Sequence, residues 1–299
     1  MQIVDTIDAA RLLLDAARDS GGRVGLVPTM GYLHDGHVSL MTAARARCDM
    51  VMTTIFVNPL QFAPGEDLAD YPRDLDRDTQ RCREAGVDVL LAPAVEEMYP
   101  QPVLTEVSVG ALSTVLDGIS RPTHFQGVAT VVAKLFNIAG PCSAFFGEKD
   151  WQQLQVITRM AADLSSPVEV VGCPIVRESD GLAMSSRNLY LEGDDRAAAT
   201  VLSRALRTAV DAVAAGDDDA RTVRQLLAGI IGDEPRADLD YAAVVDARSL
   251  QPVQRIAAAR ESGHADAGVR LLVAARVGPA RLIDNTDAHD PGTLPRFDG

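Results

Sequence analysis

From residue 24 to about residue 175 the chain alternates short apolar runs with stretches of helical period, and this alternation constrains its fold more than any other feature. Residues 24–27, 50–57, 87–91, 143–146 and 168–171 read as buried strands. Between them, residues 10–18, 37–47, 75–85, 127–138 and 150–163 carry helical period. Helices long enough to serve as crossovers between strands buried on both faces imply a parallel sheet covered on both sides. The clearest helix follows His124. Val128, Val131, Val132, Leu135, Phe136 and Ala139 form its apolar stripe, and Thr130, Lys134 and Asn137 share the other face.

After Arg187 the pattern changes. Alanine-rich helices are expected over residues 194–215 and 220–231, separated by an acidic turn, followed by strands at 241–245 and 269–274. The expected architecture is α/β, with a Rossmann-like parallel sheet over residues 1–176 and a smaller α+β lid domain over 177–286. Residues 259–268 read as a flexible loop, and residues 287–299, with their prolines and glycines, as a disordered tail.

Composition excludes several classes. The 299 residues carry a formal net charge of −14, which argues against a nucleic-acid partner, because phosphate neutralisation needs clustered Lys and Arg. It does not exclude a local pocket for one small anion. Only two lysines occur, Lys134 and Lys149. No apolar run approaches the roughly 20 residues of a membrane span, so no membrane association is expected. The first eleven residues carry Asp5 and Asp8 and lack the basic-then-apolar order of a signal peptide. Cys48, Cys82, Cys142 and Cys173 form no C-x-x-C pair. A cytoplasmic protein with reduced, structural thiols is the expectation.

Three segments carry candidate chemistry. The first is Pro28-Thr-Met-Gly-Tyr-Leu-His34-Asp-Gly-His37, running from the first long strand into a helix near His37. Ligands of open α/β sheets bind beyond the carboxyl ends of strands. A helix N-terminus there offers free N–H groups, and two imidazoles three residues apart can donate to phosphate oxygens as charge develops. A helix cap with incidental histidines, or a metal pair, would use the same residues; zinc would need further ligands. The second segment is Phe146-Gly-Glu-Lys149-Asp150-Trp-Gln-Gln153, which places one of the two lysines where a strand opens into a helix. Asp150 and Gln153 also have the spacing of a capping pair, and Lys134 is either near this site or simply solvated. The third is Arg177-Glu-Ser-Asp-Gly-Leu-Ala-Met184-Ser185-Ser186-Arg187-Asn188, a hydroxyl-rich, glycine-containing loop suited to clamping a triphosphate.

His-x-Gly-His after the first strand, paired with a late Met-Ser-Ser loop, resembles the nucleotidyltransferase superfamily. Longer strings narrow the resemblance: Val27-Pro-Thr-Met-Gly with Leu33-His-Asp-Gly-His37, Phe56-Val-Asn-Pro-Leu-Gln-Phe62, Tyr71-Pro-Arg73, Phe146-Gly-Glu-Lys-Asp150 and Arg177 to Asn188 are similar to the pantothenate synthetase (pantoate–β-alanine ligase) family. The likeness extends to about Asn285; Asp35 stands where that family more often has Glu. It implies ATP-dependent condensation of (R)-pantoate with β-alanine to pantothenate, AMP and pyrophosphate, through a pantoyl adenylate. It also implies an ATP site of Met30, Gly31, Tyr32, Leu33, His34, Asp35, Gly36, His37, Gly147, Glu148, Lys149, Asp150, Val176, Met184, Ser185, Ser186 and Arg187. Among these, His34, His37, Lys149, Ser185, Ser186 and Arg187 would stabilise the transition state. Gln61 and Gln153 would hold pantoate, Gln61 also lying near β-alanine; amides both donate and accept, as a polyol acid requires. Asp78 is the best-matched position for a Mg²⁺-associated carboxylate, with Asp76 a second candidate. A homodimer is implied as well.

Two other readings compete. One is a synthetase fragment or another adenylyltransferase with a different acid, where a transferase stopping at adenylylation would not need an amine site. The other is a regulatory nucleotide-binding module, which would not need groups aimed at developing charge. A tRNA-charging enzyme would need a basic face, which −14 opposes.

Overall fold

The computed structural model describes residues 1–63, 65–257 and 268–296. In chain order the first part contains β1 (Gln2–Val4), α1 (Ile7–Asp19), β2 (Val24–Thr29), α2 (Asp35–Arg47), β3 (Met50–Ile55), α3 (Leu75–Glu84), β4 (Val89–Leu91), α4 (Val95–Met98), α5 (Asp117–Ser120), α6 (His124–Ala139), β5 (Cys142–Gly147), α7 (Trp151–Asp163) and β6 (Val168–Cys173). All five apolar runs become strands. The short β1, too brief to show a period, adds a sixth by pairing with β4. Every pairing is parallel and the order is β1-β4-β3-β2-β5-β6. The chain proceeds outward from β2 through β3 and then resumes on the other side of β2 with β5. A topological switch point therefore lies between β2 and β5, where open α/β sheets bind ligands.

Packing explains the sheet. Val27, Val51, Leu90 and Phe145 from four adjacent strands share one apolar cluster with Leu40, Met41 and Ala44 of α2 and Cys82 of α3. Helix α6 departs from the expected amphipathic pattern. Most of it is buried, and Thr130, expected on its polar face, is covered and accepts a bond from Val107 N at 3.0 Å.

By its contacts the chain forms two compact units, Met1–Glu148 with Gln152–Cys173, and Lys149–Trp151 with Pro174–Gly299. The second unit contains α8 (Gly193–Ala198), α9 (Val201–Ala214), α10 (Ala220–Gly232), β7 (Ala237–Asp246), β8 (Val269–Val277) and β9 (Ala280–Asp287). Its strands form an antiparallel meander β7-β8-β9. Leu202, Leu206 and Val210 of α9 and Val223, Leu227 and Ile231 of α10 share a core with Leu271 and Val273 of β8. The single helix expected over 194–215 is two, with the break at Thr200, whose hydroxyl bonds back to Ala197 O at 2.8 Å.

The disordered tail expected at 287–299 is corrected over its described part. Ala288 and Leu294 are buried, Ala288 N donates to Val269 O at 2.9 Å, and Thr293 Oγ1 donates to Ile175 O at 2.8 Å. Two apolar side chains with cover outweigh a proline- and glycine-rich composition. Residues 297–299, and residues 259–267 of the expected flexible loop, lie outside the described residues. Among the described residues no helix is long and apolar enough to cross a membrane.

Candidate active site

In the first unit the candidate residues gather at the carboxyl ends of three adjacent strands. Residues 30–37 follow β2, Gln61 follows β3 on a short 3-10 turn (Pro59–Gln61), and Gly147 and Glu148 end and follow β5. Helix α2 begins two residues before the expected start, so His34 is its N-cap and both histidines lie in the first turn. Their rings sit 4.1 Å apart, and His34 N donates to His37 Nδ1 at 3.2 Å. A neutral imidazole whose Nδ1 accepts carries its proton on Nε2, so His37 is set as an Nε2–H donor.

The turn before these histidines has an unusual backbone. Gly31 (φ +87°) and Tyr32 (φ +47°) both lie in the left-handed region, which for tyrosine costs about 1–2 kcal/mol. Successive N–H groups in such a turn converge into an anion-binding nest. The anion present is Asp78 of α3: its Oδ2 accepts from Tyr32 N and its Oδ1 from Leu33 N, each at 2.7 Å. The carboxylate is fully buried, and burial pushes its pKa above the ordinary Asp value against the pull of those two backbone bonds. A Cβ on Gly31 would lie 3.0 Å from Asp78 Oδ2, so glycine is what lets the loop approach.

This geometry corrects the expectation that Asp78 is a magnesium ligand. Mg²⁺ keeps several waters and needs exposed oxygen donors, whereas both oxygens of Asp78 face backbone N–H groups out of solvent. Asp76, the second candidate, is exposed on the same helix. Among the described residues no group of three or more His, Cys, Asp or Glu could hold a metal ion.

Gln61 is buried. Its Nε2 donates to Met30 Sδ at 2.9 Å and its Oε1 accepts from Asn58 Nδ2 at 3.2 Å. Asn58 also donates to Gly127 O at 3.1 Å and accepts from Tyr99 Oη at 2.9 Å, tying the turn to α6. Its backbone is held too, since Gln61 O receives Arg121 Nη2 at 3.4 Å and lies 3.0 Å from His124 Nδ1. Arg121 in turn pairs bidentately with Glu66 at 2.8 and 2.7 Å. The adjacent glutamines on α7 divide their roles. Gln152 is buried, accepting from Asp117 N and donating to Leu112 O and Val115 O, while Gln153 is half-buried. The four cysteines are free, and burial raises every thiol, Cys82 and Cys142 to about 12, so none supplies a ready thiolate.

The second unit carries the remaining candidates. Lys149 lies on a 3-10 turn (Glu148–Asp150) with its Nζ 3.9 Å from Asp150 Oδ1. Lys149 O accepts from Asn285 Nδ2 at 2.8 Å, and Asn285 Oδ1 accepts from Arg270 Nε at 2.8 Å. Arg270 stacks 3.7 Å over the Trp151 ring, whose Nε1 donates to Ala247 O at 2.8 Å. Val176 and Met184 are joined by Met184 N→Val176 O at 3.0 Å, closing a hairpin across Arg177 and Ala183. Arg177 anchors this hairpin from inside, bidentate to buried Asp284 at 2.6 and 2.8 Å. Ser185 caps the following 3-10 turn (Ser186–Tyr190), accepting from Arg187 N at 3.2 Å. Ser186 is buried and Arg187 half-buried. Lys134, back in the first unit, is half-buried on α6.

Sequence reasoning missed Arg177, Asp284, Asn285 and Arg270 as supports. The available signal was the polar run Asp284-Asn-Thr286 ending an otherwise apolar stretch. All three side chains are buried, and a strand that buries polar groups must give them partners.

Comparison with known proteins places this architecture. A family model described as Pantoate-beta-alanine ligase matches residues 2–287. The pantothenate synthetase of Heliobacterium modesticaldum is 50% identical over 285 residues, covering 95% of this chain and 98% of the relative. That of Rhizobium etli is 47% identical over 294 residues, covering 98% and 96%. Among solved structures, pantothenate synthetase from Thermus thermophilus superposes with a TM-score of 0.89 at 46% identity, covering 97% of this chain and all of that one. Pantoate-β-alanine ligase from Francisella tularensis, complexed with β-γ ATP and β-alanine, gives 0.76 at 31% identity, covering 98% and 100%. With residues 2–287 matched by the family model, relatives about half identical over nearly the whole chain and a solved structure superposing on it, this chain belongs to the pantoate–β-alanine ligase family.

Proposed function

We propose that the chain catalyses the ATP-dependent condensation of (R)-pantoate with β-alanine to pantothenate, AMP and pyrophosphate. The observation that carries this reading is His37, whose Nδ1 accepts the His34 backbone N–H at 3.2 Å, beside the switch point of a parallel sheet. A fixed neutral donor at a strand end suits charge that appears only during nucleotidyl transfer. In the first step a pantoate carboxylate oxygen attacks the α-phosphorus of ATP, the bond to the bridging oxygen breaks, and pyrophosphate leaves. In the second, the β-alanine amine attacks the acyl carbon of pantoyl adenylate, AMP departs, and the amine proton is lost to solvent or base. No enzyme-bound covalent intermediate is needed, in keeping with the raised thiols.

Residue roles follow. His34, His37, Lys149, Ser185, Ser186 and Arg187 stabilise the transferring phosphoryl group. Met30 to His37, Gly147 to Asp150, Val176 and Met184 complete the ATP site. Gln61 and Gln153 hold pantoate, and Gln61 also serves β-alanine. Gln61 supports this best, since Met30, Asn58 and the Arg121–His124 contacts fix its amide and backbone before any ligand arrives. Mg²⁺ bound with the ATP phosphates would supply charge neutralisation there. A reducing cytoplasm suits the four free cysteines, and the family resemblance supports a homodimer.

The test supplies ATP, magnesium and pantoate with and without β-alanine and follows pyrophosphate and AMP. Amine-dependent AMP release is expected. Pyrophosphate formation with no amide under any amine would refute the assignment in favour of an adenylyltransferase, and absence of both products would favour a binding module.

A further inference from the structure

Helix α3 reaches the His34–His37 turn through three side chains. Asp78 takes the Tyr32 and Leu33 N–H groups at 2.7 Å each. Its neighbour Arg77 lies 4.4 Å over the Tyr32 ring. One turn on, Arg81 Nη1 pairs with Asp35 Oδ1 at 2.8 Å. Asp74 caps the helix by accepting from Arg77 N at 3.0 Å, which fixes the phase of all three. The turn is a phosphate-type nest, yet the carboxylate inside it is the protein's own and fully buried.

We infer that Asp78 is a positioning residue, an internal anion that fills the nest of the first strand-to-helix turn and thereby sets His34 and His37. Without it, two converging N–H groups would be buried unpaired while Tyr32 keeps an unfavourable φ. A turn in that state relaxes. With Asp78 in place the left-handed pair is held before nucleotide binds, and His34 remains where its N–H reaches His37 Nδ1. Nucleotide phosphates are consequently left to the imidazoles and the α2 N-terminus rather than to this nest.

The inference rests on the nucleotidyl-transfer reading only for its kinetic arm. The first arm is amide hydrogen exchange on ligand-free wild-type protein. Tyr32 and Leu33 should exchange as slowly as neighbouring strand amides such as Val27, and exchange at open-loop rates would overturn the proposal. In Asp78→Asn, whose Oδ1 can still accept one N–H while its NH₂ cannot accept the other, at least one of those two amides should exchange at least tenfold faster with Leu26 and Phe145 unchanged. The kinetic arm is pyrophosphate formation by the same variant. We expect kcat to fall at least tenfold while the Mg²⁺ concentration giving half-maximal rate stays within twofold of wild type. A rise of fivefold or more in that concentration, or unchanged exchange, would contradict positioning and restore a metal role. If wild type itself has no activity, the proposed reaction fails while the exchange arm still decides the role of Asp78.

Discussion

Gly127 offers a sharp structural perturbation of the Gln61 turn, which is proposed to hold pantoate. A Cβ there would lie 2.1 Å from Leu60 O, 2.4 Å from Leu60 C and 2.6 Å from Gln61 N. Ordinary van der Waals contact would require the 59–61 turn to withdraw by about 1.3 Å. Neither side yields freely. Helix α6 is buried along most of its length, and Asn58 bonds both Gly127 O and Gln61 Oε1. Overpacking of this kind costs about 1–3 kcal/mol, and backbone meeting Cβ belongs at the upper end. Ala gains back about 1 kcal/mol of helix propensity over Gly. Gly127→Ala should therefore destabilise by about 2 kcal/mol, lowering Tm by roughly 4–8 °C at about 2–4 °C per kcal/mol. A misplacement near 1 Å costs on the order of 100-fold in rate, and here it falls on Gln61. Steady-state kinetics should show kcat/KM for pantoate down on that order with KM for ATP within about threefold. Gly229→Ala on α10, where a Cβ meets nothing within 4 Å, is the control and should stabilise by up to about 1 kcal/mol. Native Tm and pantoate kcat/KM within threefold of wild type in Gly127→Ala would refute the reasoning.

Two further predictions concern charge and protonation. His37→Ala should lower kcat and kcat/KM in parallel by roughly 10²–10³ with KM for ATP little changed; equal losses in binding and rate would contradict a transition-state role. Burial pushes the Glu66 carboxyl up, but the Arg121 hydrogen bonds and charge outweigh it, leaving the pKa below its ordinary 4.5. A depressed carboxylate contributes stability that is fully present above the unfolded value and is lost as pH falls through the folded one. Urea midpoints should accordingly drop more steeply below pH 4.5 in wild type than in Glu66→Gln, and identical slopes would refute this assignment.

The parallel sheet was legible because its strands are apolar on both faces, and the histidine turn because its glycines and imidazoles stand together in sequence. What escaped depends on partners far away along the chain. Asp78 looks like a metal carboxylate until the two N–H groups it accepts from, 45 and 46 residues upstream, are in view. Strand β9 hides because, beyond buried Ala280 and Leu282, it buries polar Asp284 and Asn285, which are polar because Asp284 holds Arg177 and Asn285 holds Lys149 O. Gln152 and Gln153 are adjacent and chemically identical; only the carbonyls of Leu112 and Val115 make one of them structural. Local propensity cannot see any of these.

The central claim is that the acid is activated at phosphorus by adenylylation, and isotope transfer tests it most directly. Pantoate labelled with ¹⁸O in both carboxylate positions, turned over with ATP and β-alanine, should give AMP carrying one ¹⁸O and pantothenate retaining the other. Label appearing in inorganic phosphate alongside ADP would mean activation as an acyl phosphate, and would contradict the account.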